Sequence, residues 1–72
     1  MSNFGERLRE LRISKNIMAK TMADTLDIGY RNYQRYERNE IDAPMSKLIA
    51  LADAFNVSLD YLVGRSDEPE RR

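Results

Sequence analysis

The apolar residues of this chain recur three or four positions apart, the spacing of one face of an α-helix rather than the alternation of a β-strand. The pattern predicts an all-α fold of five short helices, the third of which covers about residues 30–38. The apolar stripes that define the other four are Phe4, Leu8 and Leu11; Met22, Ala23 and Leu26; Met45, Leu48, Leu51, Ala52 and Phe55; and Leu59, Leu62 and Val63.

Polar and special residues mark where these helices begin and end. Asn3, with a glutamate three residues later, is typical of a capping box, and Ser58 is expected to cap the last helix. Pro44 is predicted at a first helical position, where its missing N–H costs nothing. Asn16 and Gly64 are predicted as stops, because both tolerate the left-handed conformation that ends many helices.

The predicted second and third helices are joined by only about three residues, "DIG". So short a connection does not allow a long antiparallel overlap and favours two helices that cross steeply, as in a helix-turn-helix. Ala23 on the inner face lets the following helix come close. The domain is predicted to span residues 1–64, and the polar residues 65–72 form a tail or the start of a linker.

Composition narrows the possible functions. The 72 residues include neither cysteine nor histidine, which removes disulfides, thiolate chemistry and the commonest zinc sites. No apolar run approaches the roughly 20 residues of a membrane span. The absence of cysteine fits a reducing cytoplasm, so a cytoplasmic location is expected. No Gly-rich phosphate loop or closely spaced carboxylate pair is evident either. The sequence therefore predicts that the chain is not an enzyme and that it binds no cofactor, metal or small-molecule ligand.

The formal net charge of zero conceals an uneven distribution. Residues 1–38 contain eight Lys or Arg against five Asp or Glu, and residues 39–72 contain four against seven. The first half is a candidate surface for an anion, although an ordinary solvated face fits the composition equally well.

Residues 29–40, "GYRNYQRYERNE", combine aromatic and basic side chains. On a helical wheel of about 100° per residue, Tyr33 and Tyr36 fall on one side with Tyr30. Arg31, Gln34, Arg35 and Arg38 form the opposite arc. Tyr33 and Tyr36 are therefore expected in the core. Arginine and glutamine are residue types that hydrogen-bond base edges in the major groove, although such an arc can also be a plain solvated face.

Glu37 falls on the tyrosine side of the same wheel. A buried carboxylate needs a cationic partner, and Arg12, next to Leu11 on the first helix, is the best candidate. The sequence therefore predicts an Arg12–Glu37 ion pair. The alternative is a solvent-exposed Glu37 near the end of its helix.

The segments "FGERLRELRISKNI", "MADTLDIGYRNYQRYERNE" and "LIALADAFNVSLDYLVG", within roughly residues 4–64, resemble the helix-turn-helix domain of phage repressors and Cro proteins. These are bacterial and phage regulators of the xenobiotic-response-element type. The resemblance implies a lambda-repressor-like fold of five helices that binds double-stranded operator DNA as a homodimer. It also implies that the third helix lies in the major groove.

The resemblance assigns roles to particular residues, including the Arg12–Glu37 pair. Base contacts are implied for Tyr30, Arg31, Gln34 and Arg35, although Tyr30, first in its helix, could instead pack inward. Contacts with the DNA backbone are implied for Asn32, Arg38 and Asn39, and are expected for Ala19 and Lys20 at the start of the second helix. The dimer interface is expected at Val57, Leu59, Tyr61 and Leu62 with Val63, where core closure is the alternative role.

Several positions depart from the family pattern. Met18 and Ala19 replace the usual Ser or Thr followed by Gln, and Asp27 stands where the turn usually has glycine. Glu40 and Asp42 stand where relatives often have lysine or arginine, which weakens the expected attraction for phosphate. The leading interpretation is a dimeric, sequence-specific transcriptional repressor or regulator. The alternative is a protein-interaction module of the same fold, such as an antitoxin or antirepressor component, with weak DNA binding.

Overall fold

The computed structural model describes residues 4–70, and within that range the chain forms five α-helices and no strand. The helices are α1 (Phe4–Ser14), α2 (Ala19–Leu26), α3 (Tyr30–Glu37), α4 (Met45–Phe55) and α5 (Leu59–Leu62). The prediction of an all-α chain of five short helices is confirmed. The predicted cap Asn3 lies outside the described residues.

The inward faces of all five helices meet in one core. Its buried side chains are Phe4, Leu8, Met22, Ala23, Leu26, Tyr33, Tyr36, Leu51, Ala52, Phe55, Val57 and Leu62. Leu11 and Leu48 are partly buried against this cluster. Met45, which the periodicity includes in the α4 stripe, is exposed instead. It is the first residue of α4 and so projects beyond the helices that cover the rest of that stripe.

Each of the five helices described in residues 4–70 is followed by a residue with positive φ, namely Asn16, Asp27, Asn39, Asn56 and Gly64. The hydrogen bonds are those of the Schellman motif. After α2, for example, Asp27 N donates to Asp24 O at 3.1 Å and Ile28 N donates to Ala23 O at 3.0 Å. Asparagine and aspartate adopt this conformation more readily than other L-residues. The predicted stops at Asn16 and Gly64 are confirmed.

The helix beginnings are less uniform. Ser58 caps α5 as predicted, with its hydroxyl accepting a hydrogen bond from Tyr61 N at 3.0 Å. The sequence predicts Pro44 inside α4, but it is the N-cap residue, with φ −61° and ψ 156°. Its ψ is extended, so the helix starts one residue later, while the Pro44 carbonyl accepts hydrogen bonds from Lys47 N and Leu48 N.

The connection between α2 and α3 consists of Asp27, Ile28 and Gly29, as the helix-turn-helix prediction requires. Ala23 is buried where the two helices pack together. The end of α2 is held from another direction, because Lys47 Nζ of α4 donates to Leu26 O at 2.7 Å. This bond satisfies a carbonyl that the helix itself leaves open.

The N-terminal end of α1 approaches the C-terminal end of α3 so closely that only glycine fits at position 5. A Cβ atom there would lie 2.5 Å from Glu37 O and 2.8 Å from Asn39 Oδ1. The close approach allows Gly5 N to donate to Asn39 Oδ1 at 2.9 Å. One of the amides left open at the start of α1 is thereby satisfied.

Part of the chain after α5 returns to the domain. Ser58 N donates to Pro69 O at 3.0 Å, and Arg7 Nη1 donates to Tyr61 O at 3.1 Å and to Ser66 O at 3.2 Å. The Arg7 guanidinium also lies 4.1 Å from the centre of the Tyr61 ring, a cation–π distance. Residues 66–69, which belong to the predicted polar tail, therefore pack beside α1 and α5.

We expect Gly5→Ser to lower the free energy of unfolding by about 1–3 kcal/mol, because the new Cβ would force α1 away from the backbone of α3. Urea denaturation measures the change. Gly29→Ser is the matched control, since Gly29 has φ −68° and a Cβ atom added there would meet nothing within 4 Å. A serine there can also cap α3. Equal losses in the two variants would contradict the steric explanation.

Candidate nucleic-acid interface

The exposed side of α3 is the candidate interface. The side chains of Tyr33 and Tyr36 point into the core, as the helical wheel predicts. Arg31, Gln34 and Arg35 lie on the other side, and Tyr30, at the edge between the two sides, is exposed with them. These four residues are called the outer face of α3. Tyr30, Arg31 and Arg35 are exposed and Gln34 is partly so. Asn32 and Arg38 are exposed beside them.

Tyr30 points outward, so the inward orientation left open by the sequence is not the one adopted. The residue is 48% exposed, and its hydroxyl accepts a hydrogen bond from Gln34 Nε2 at 3.0 Å. The two residues are four positions apart and therefore neighbours on the helix surface. The bond fixes both side chains on the outer face while leaving the second Nε2 hydrogen and Oε1 of Gln34 available.

The two arginines of the outer face differ in their surroundings. Arg35 Nε lies 3.8 Å from Glu40 Oε1, and both side chains are about half exposed, 45% and 50%. Glu40 is brought back to α3 by the Schellman motif, in which Glu40 N donates to Arg35 O at 2.9 Å. Within residues 4–70, Arg31 has no ion-pair partner. Arg31 is therefore free to bind an external anion or acceptor, whereas Arg35 has an internal competitor.

Arg12 and Glu37 join α1 to the end of α3. Arg12 Nε donates to Glu37 Oε2 at 2.6 Å and Arg12 Nη2 donates to Glu37 Oε1 at 3.1 Å, a bidentate arrangement. Only 15% of the Arg12 side chain and 9% of the Glu37 side chain are exposed. Arg12 Nη1 also donates to Ile17 O at 2.9 Å, so one guanidinium connects α1, the loop after it and α3.

The pairing of Arg12 with Glu37 and the burial around it shift the pKa values of nearby groups. The hydrogen bond from Arg12 to the Glu37 carboxylate raises the pKa of Arg12, which keeps the guanidinium charged. Beneath the pair lies Tyr33 Oη, the one buried side-chain polar atom within residues 4–70 that has no hydrogen-bond partner. Burial raises the pKa of the Tyr33 hydroxyl well above its usual value, and the nearby Glu37 carboxylate adds to the rise.

The start of α2 presents amides without a side-chain cap. Met18 is the N-cap residue and makes no side-chain cap hydrogen bond. Lys20 is exposed and Ala19 is partly buried in the first turn. The unsatisfied amides and the positive end of the helix dipole form a place where a phosphate can bind.

Asn39 lies at the other end of α3, in the turn that leads away from the outer face. Its Oδ1 is already occupied by Gly5 N, and its own N–H donates to Tyr36 O at 3.1 Å. The Nδ2 amide is the donor left for an external partner. Asn39 thus has a structural role that the sequence does not reveal, because the position of Gly5 depends on the tertiary fold.

The four residues expected at a subunit interface divide into two groups. Val57 and Leu62 are buried in the core, so their side chains serve core closure, the alternative role considered from the sequence. Leu59 is exposed and Tyr61 is half-buried, with Arg7 covering its ring. Of the four, only Leu59 and Tyr61 present side-chain surface. Val63 is partly buried.

Neither a membrane helix nor a metal site is present in the described part of the chain. Each helix in residues 4–70 is too short and too polar to cross a bilayer. No group of three or more carboxylates in that range is placed to hold a metal ion.

Two helices joined by a three-residue turn, the second carrying an exposed Tyr/Arg/Gln face, define a helix-turn-helix domain. The helix-turn-helix family profile matches residues 8–62. The chain belongs to that family, and its relatives are of the phage-repressor and Cro type.

Comparisons with individual proteins agree. The chain is 37% identical over 65 residues to the transcriptional regulator ImmR of Bacillus subtilis (strain 168), covering 90% of this chain and 51% of ImmR. It is 38% identical over 60 residues to the cryptic phage CTXphi transcriptional repressor RstR of Vibrio cholerae, covering 83% of this chain and 54% of RstR. The chain thus spans about half the length of these curated relatives.

A solved structure matches the fold over nearly the whole chain. The P22 c2 repressor, determined in complex with a synthetic operator, superposes with a TM-score of 0.82 at 26% identity. The match covers 92% of this chain and 100% of the repressor chain. The lambda-repressor-like fold implied by the sequence is confirmed.

We expect Arg12→Met to lower the free energy of unfolding by about 3–5 kcal/mol, because it leaves the buried Glu37 carboxylate without a counterion. Replacing both partners, Arg12→Met with Glu37→Met, should recover most of the loss. Arg9→Met on the exposed side of α1 is the control and should change little. Urea denaturation at pH 7 gives all three values; a double variant no more stable than Arg12→Met would contradict the expectation.

We expect Tyr33→Phe to stabilise the domain by about 1 kcal/mol at pH 7, because it removes a buried hydroxyl that has no partner. In the unfolded chain tyrosine ionises near pH 10, whereas the raised pKa of the folded Tyr33 keeps its proton in place above that pH. The folded state then binds one more proton, so stability falls as pH rises above about 10, by up to about 1.4 kcal/mol per pH unit.

Tyr33→Phe should therefore show a shallower alkaline decline than the unsubstituted chain. Thermal unfolding followed by circular dichroism from pH 7 to 11 measures both effects. Tyr36→Phe, at the neighbouring core ring, is the matched control. A loss of stability at pH 7 in Tyr33→Phe alone would mean that its hydroxyl has a partner.

Proposed function

We propose that this chain binds double-stranded operator DNA in a sequence-specific manner and acts as a dimeric transcriptional repressor or regulator. The outer face of α3 carries the proposal, because it is exposed while the opposite side of the same helix is buried through Tyr33 and Tyr36. A helix about 12 Å across fits the width of the major groove. The family relatives named as transcriptional regulators, and the repressor–operator complex of the same fold, support it.

The outer face supplies the proposed base contacts. Arg31 is exposed and has no internal ion pair, which suits bidentate binding to O6 and N7 of guanine. Gln34 keeps one amide hydrogen and its carbonyl oxygen, the pair of groups that adenine N7 and N6 require. Tyr30 and Arg35 complete the set at the two ends of the face.

The proposed backbone contacts flank this face. Ala19 and Lys20 would bind phosphate at the start of α2 through amides and a side-chain cation. Asn32 and Arg38 are exposed beside the outer face, and Asn39 has a free Nδ2 amide. Such contacts set the orientation of α3 and supply salt-dependent affinity.

We propose a homodimer in which Leu59 and Tyr61 belong to the subunit interface. A symmetric pair would hold two α3 helices about 34 Å apart, one turn of DNA, over a pseudo-palindromic site. Catalysis, a cofactor and a small-molecule ligand form no part of the proposal. As a transcriptional regulator the protein would act in the cytoplasm.

A second candidate is a protein-interaction module of the same fold with weak DNA binding, such as an antitoxin or antirepressor component. The uncapped start of α2 at Met18, and the pairing of Arg35 with Glu40, favour it. Selection from random duplexes, read beside the solution mass, separates the two candidates. A symmetric enriched motif bound by a dimer supports the operator-binding regulator, whereas no enrichment would overturn it.

We expect Arg31→Ala to weaken binding to the selected duplex by about 1–3 kcal/mol and to relax base preference at one position per half-site. Lys20→Ala should weaken all duplexes alike and reduce the slope of log affinity against log salt by about 1. Arg9→Ala, an exposed change of the same charge on α1, is the control. Arg31→Ala with an unchanged base preference would contradict the assigned role.

A further inference from the structure

Glu40 is an acidic side chain that pairs with the outer face. It is an anion 3.8 Å from an arginine proposed to contact bases. We propose that Glu40 is a specificity residue, which disfavours contacts between Arg35 and phosphate while permitting contacts between Arg35 and guanine. The inference rests on the proposed DNA-binding function.

The backbone position of Glu40 is set by the turn that ends α3. The Schellman motif after α3 turns the chain at Asn39, with φ 59°, and directs Glu40 N onto Arg35 O. Asn39 is itself fixed by Gly5. The backbone of Glu40 is therefore held beside Arg35, and its carboxylate lies within ion-pair distance of Arg35 Nε.

The Arg35–Glu40 pair is weak enough to shift the preference of Arg35 among DNA groups, and too weak to prevent Arg35 from binding DNA. Both side chains are about half exposed, so the ion pair is screened by solvent. Exposed pairs of this kind are weak. Glu40 can therefore shift the relative preference of Arg35 for different DNA groups without preventing Arg35 from binding.

Guanine and phosphate place different demands on this pair. The closest approach of Glu40 to Arg35 is through Nε. A guanidinium approached at Nε can still present Nη1 and Nη2 to O6 and N7 of guanine. Moving Arg35 onto a phosphate instead would bring the DNA anion close to the Glu40 carboxylate, and the repulsion lowers that affinity. The exposed Asp42, two residues on, adds to the local negative charge.

Because the chain carries no net positive charge, one acidic side chain beside Arg35 has a larger effect on DNA affinity than it would on a strongly basic protein. With a formal net charge of zero, non-specific affinity depends on a few local cations and not on a general attraction to DNA. Arg31, on the same face and without an ion-pair partner in residues 4–70, has no such restraint. The two arginines are thereby expected to differ, with Arg35 the more selective.

The test compares Glu40→Gln with Glu10→Gln, an exposed change of the same charge on α1. Binding of the whole chain is measured for the selected duplex and for a scrambled duplex of equal length and composition, over a range of salt. We expect Glu40→Gln to bind the scrambled duplex about threefold or more tightly, while the selected duplex changes less. Its salt slope on scrambled DNA should steepen by up to about 1.

Glu40→Asp, Arg35→Ala and the double variant Arg35→Ala with Glu40→Gln isolate the mechanism. Glu40→Asp keeps the charge and should retain most of the discrimination. In an Arg35→Ala background, Glu40→Gln should leave the ratio of the two affinities unchanged, because the effect acts through Arg35. Thermal unfolding checks that Glu40→Gln keeps its Tm within about 2 °C, so that a change in binding is not a change in folding.

The inference is overturned if Glu40→Gln changes both duplexes equally, or alters their ratio no more than Glu10→Gln does. It is also overturned if the ratio shifts equally with and without Arg35. Failure of the proposed function has a different signature: the unsubstituted chain would enrich no duplex and would not distinguish the two DNAs at all. The inference falls with it in that case.

Discussion

The Arg12–Glu37 pair is the interaction on which the position of α3 depends. Of the eight residues in α3, only Tyr33 and Tyr36 are buried, so apolar packing holds this helix by a narrow stripe. The ion pair adds a directional link from its last residue to α1, and Arg12 extends that link to Ile17 O. A buried pair of this kind adds little net stability compared with a well-packed apolar pair, but it strongly disfavours other arrangements. Its contribution here is the orientation of α3, on which the proposed contacts with DNA depend.

The helix ends complete that positioning. Asp27 ends α2 and Asn39 ends α3, each in a left-handed conformation that reverses the chain within one residue. Lys47 holds the last turn of α2 through a hydrogen bond to Leu26 O, and Gly5 N holds Asn39 through a hydrogen bond to the Asn39 side chain. Polar contacts thus fix the C-terminal end of α3 and the end of α2 that precedes it, while the middle of α3 rests on two aromatic rings. Glycine could adopt the same left-handed conformation at both positions, so the conformation alone does not require these side chains. The side chain of Asn39 is explained by its hydrogen bond from Gly5. Nothing in the structure explains why position 27 is aspartate.

Local pattern predicts what depends on neighbours in sequence. Helical periodicity identifies the five helices, and Asn16, Ser58 and Gly64 mark ends that require a particular backbone conformation or cap. The wheel also separates Tyr33 and Tyr36 from Arg31, Gln34 and Arg35, but it groups Tyr30 with the other tyrosines, whereas Tyr30 is exposed on the outer face. Contacts across the fold are harder to predict: Gly5 with Asn39, Lys47 with Leu26, and Arg7 with Ser66 each join segments more than 20 residues apart. The exposure of Met45 and the burial of Val57 are hard to predict for the same reason. Periodicity shows which side of a helix is apolar, but not which other segments cover that side.

A neutral domain that reads DNA must obtain selectivity differently from a strongly basic one. A basic protein gains most of its affinity by releasing counterions from phosphate, a gain that is nearly the same on every sequence. Here Glu40 lies beside the outer face, so in the proposed complex the phosphate contribution would be smaller and contacts with bases would form a larger share of the total. The ratio of specific to non-specific binding, rather than absolute affinity, decides how many competing genomic sites a regulator occupies. Two contacts within and beside the outer face, Gln34 with Tyr30 and Arg35 with Glu40, would reduce the conformational freedom lost in the proposed complex. Under the proposed function, low net charge and contacts within the outer face would therefore act in the same direction, favouring discrimination over strength.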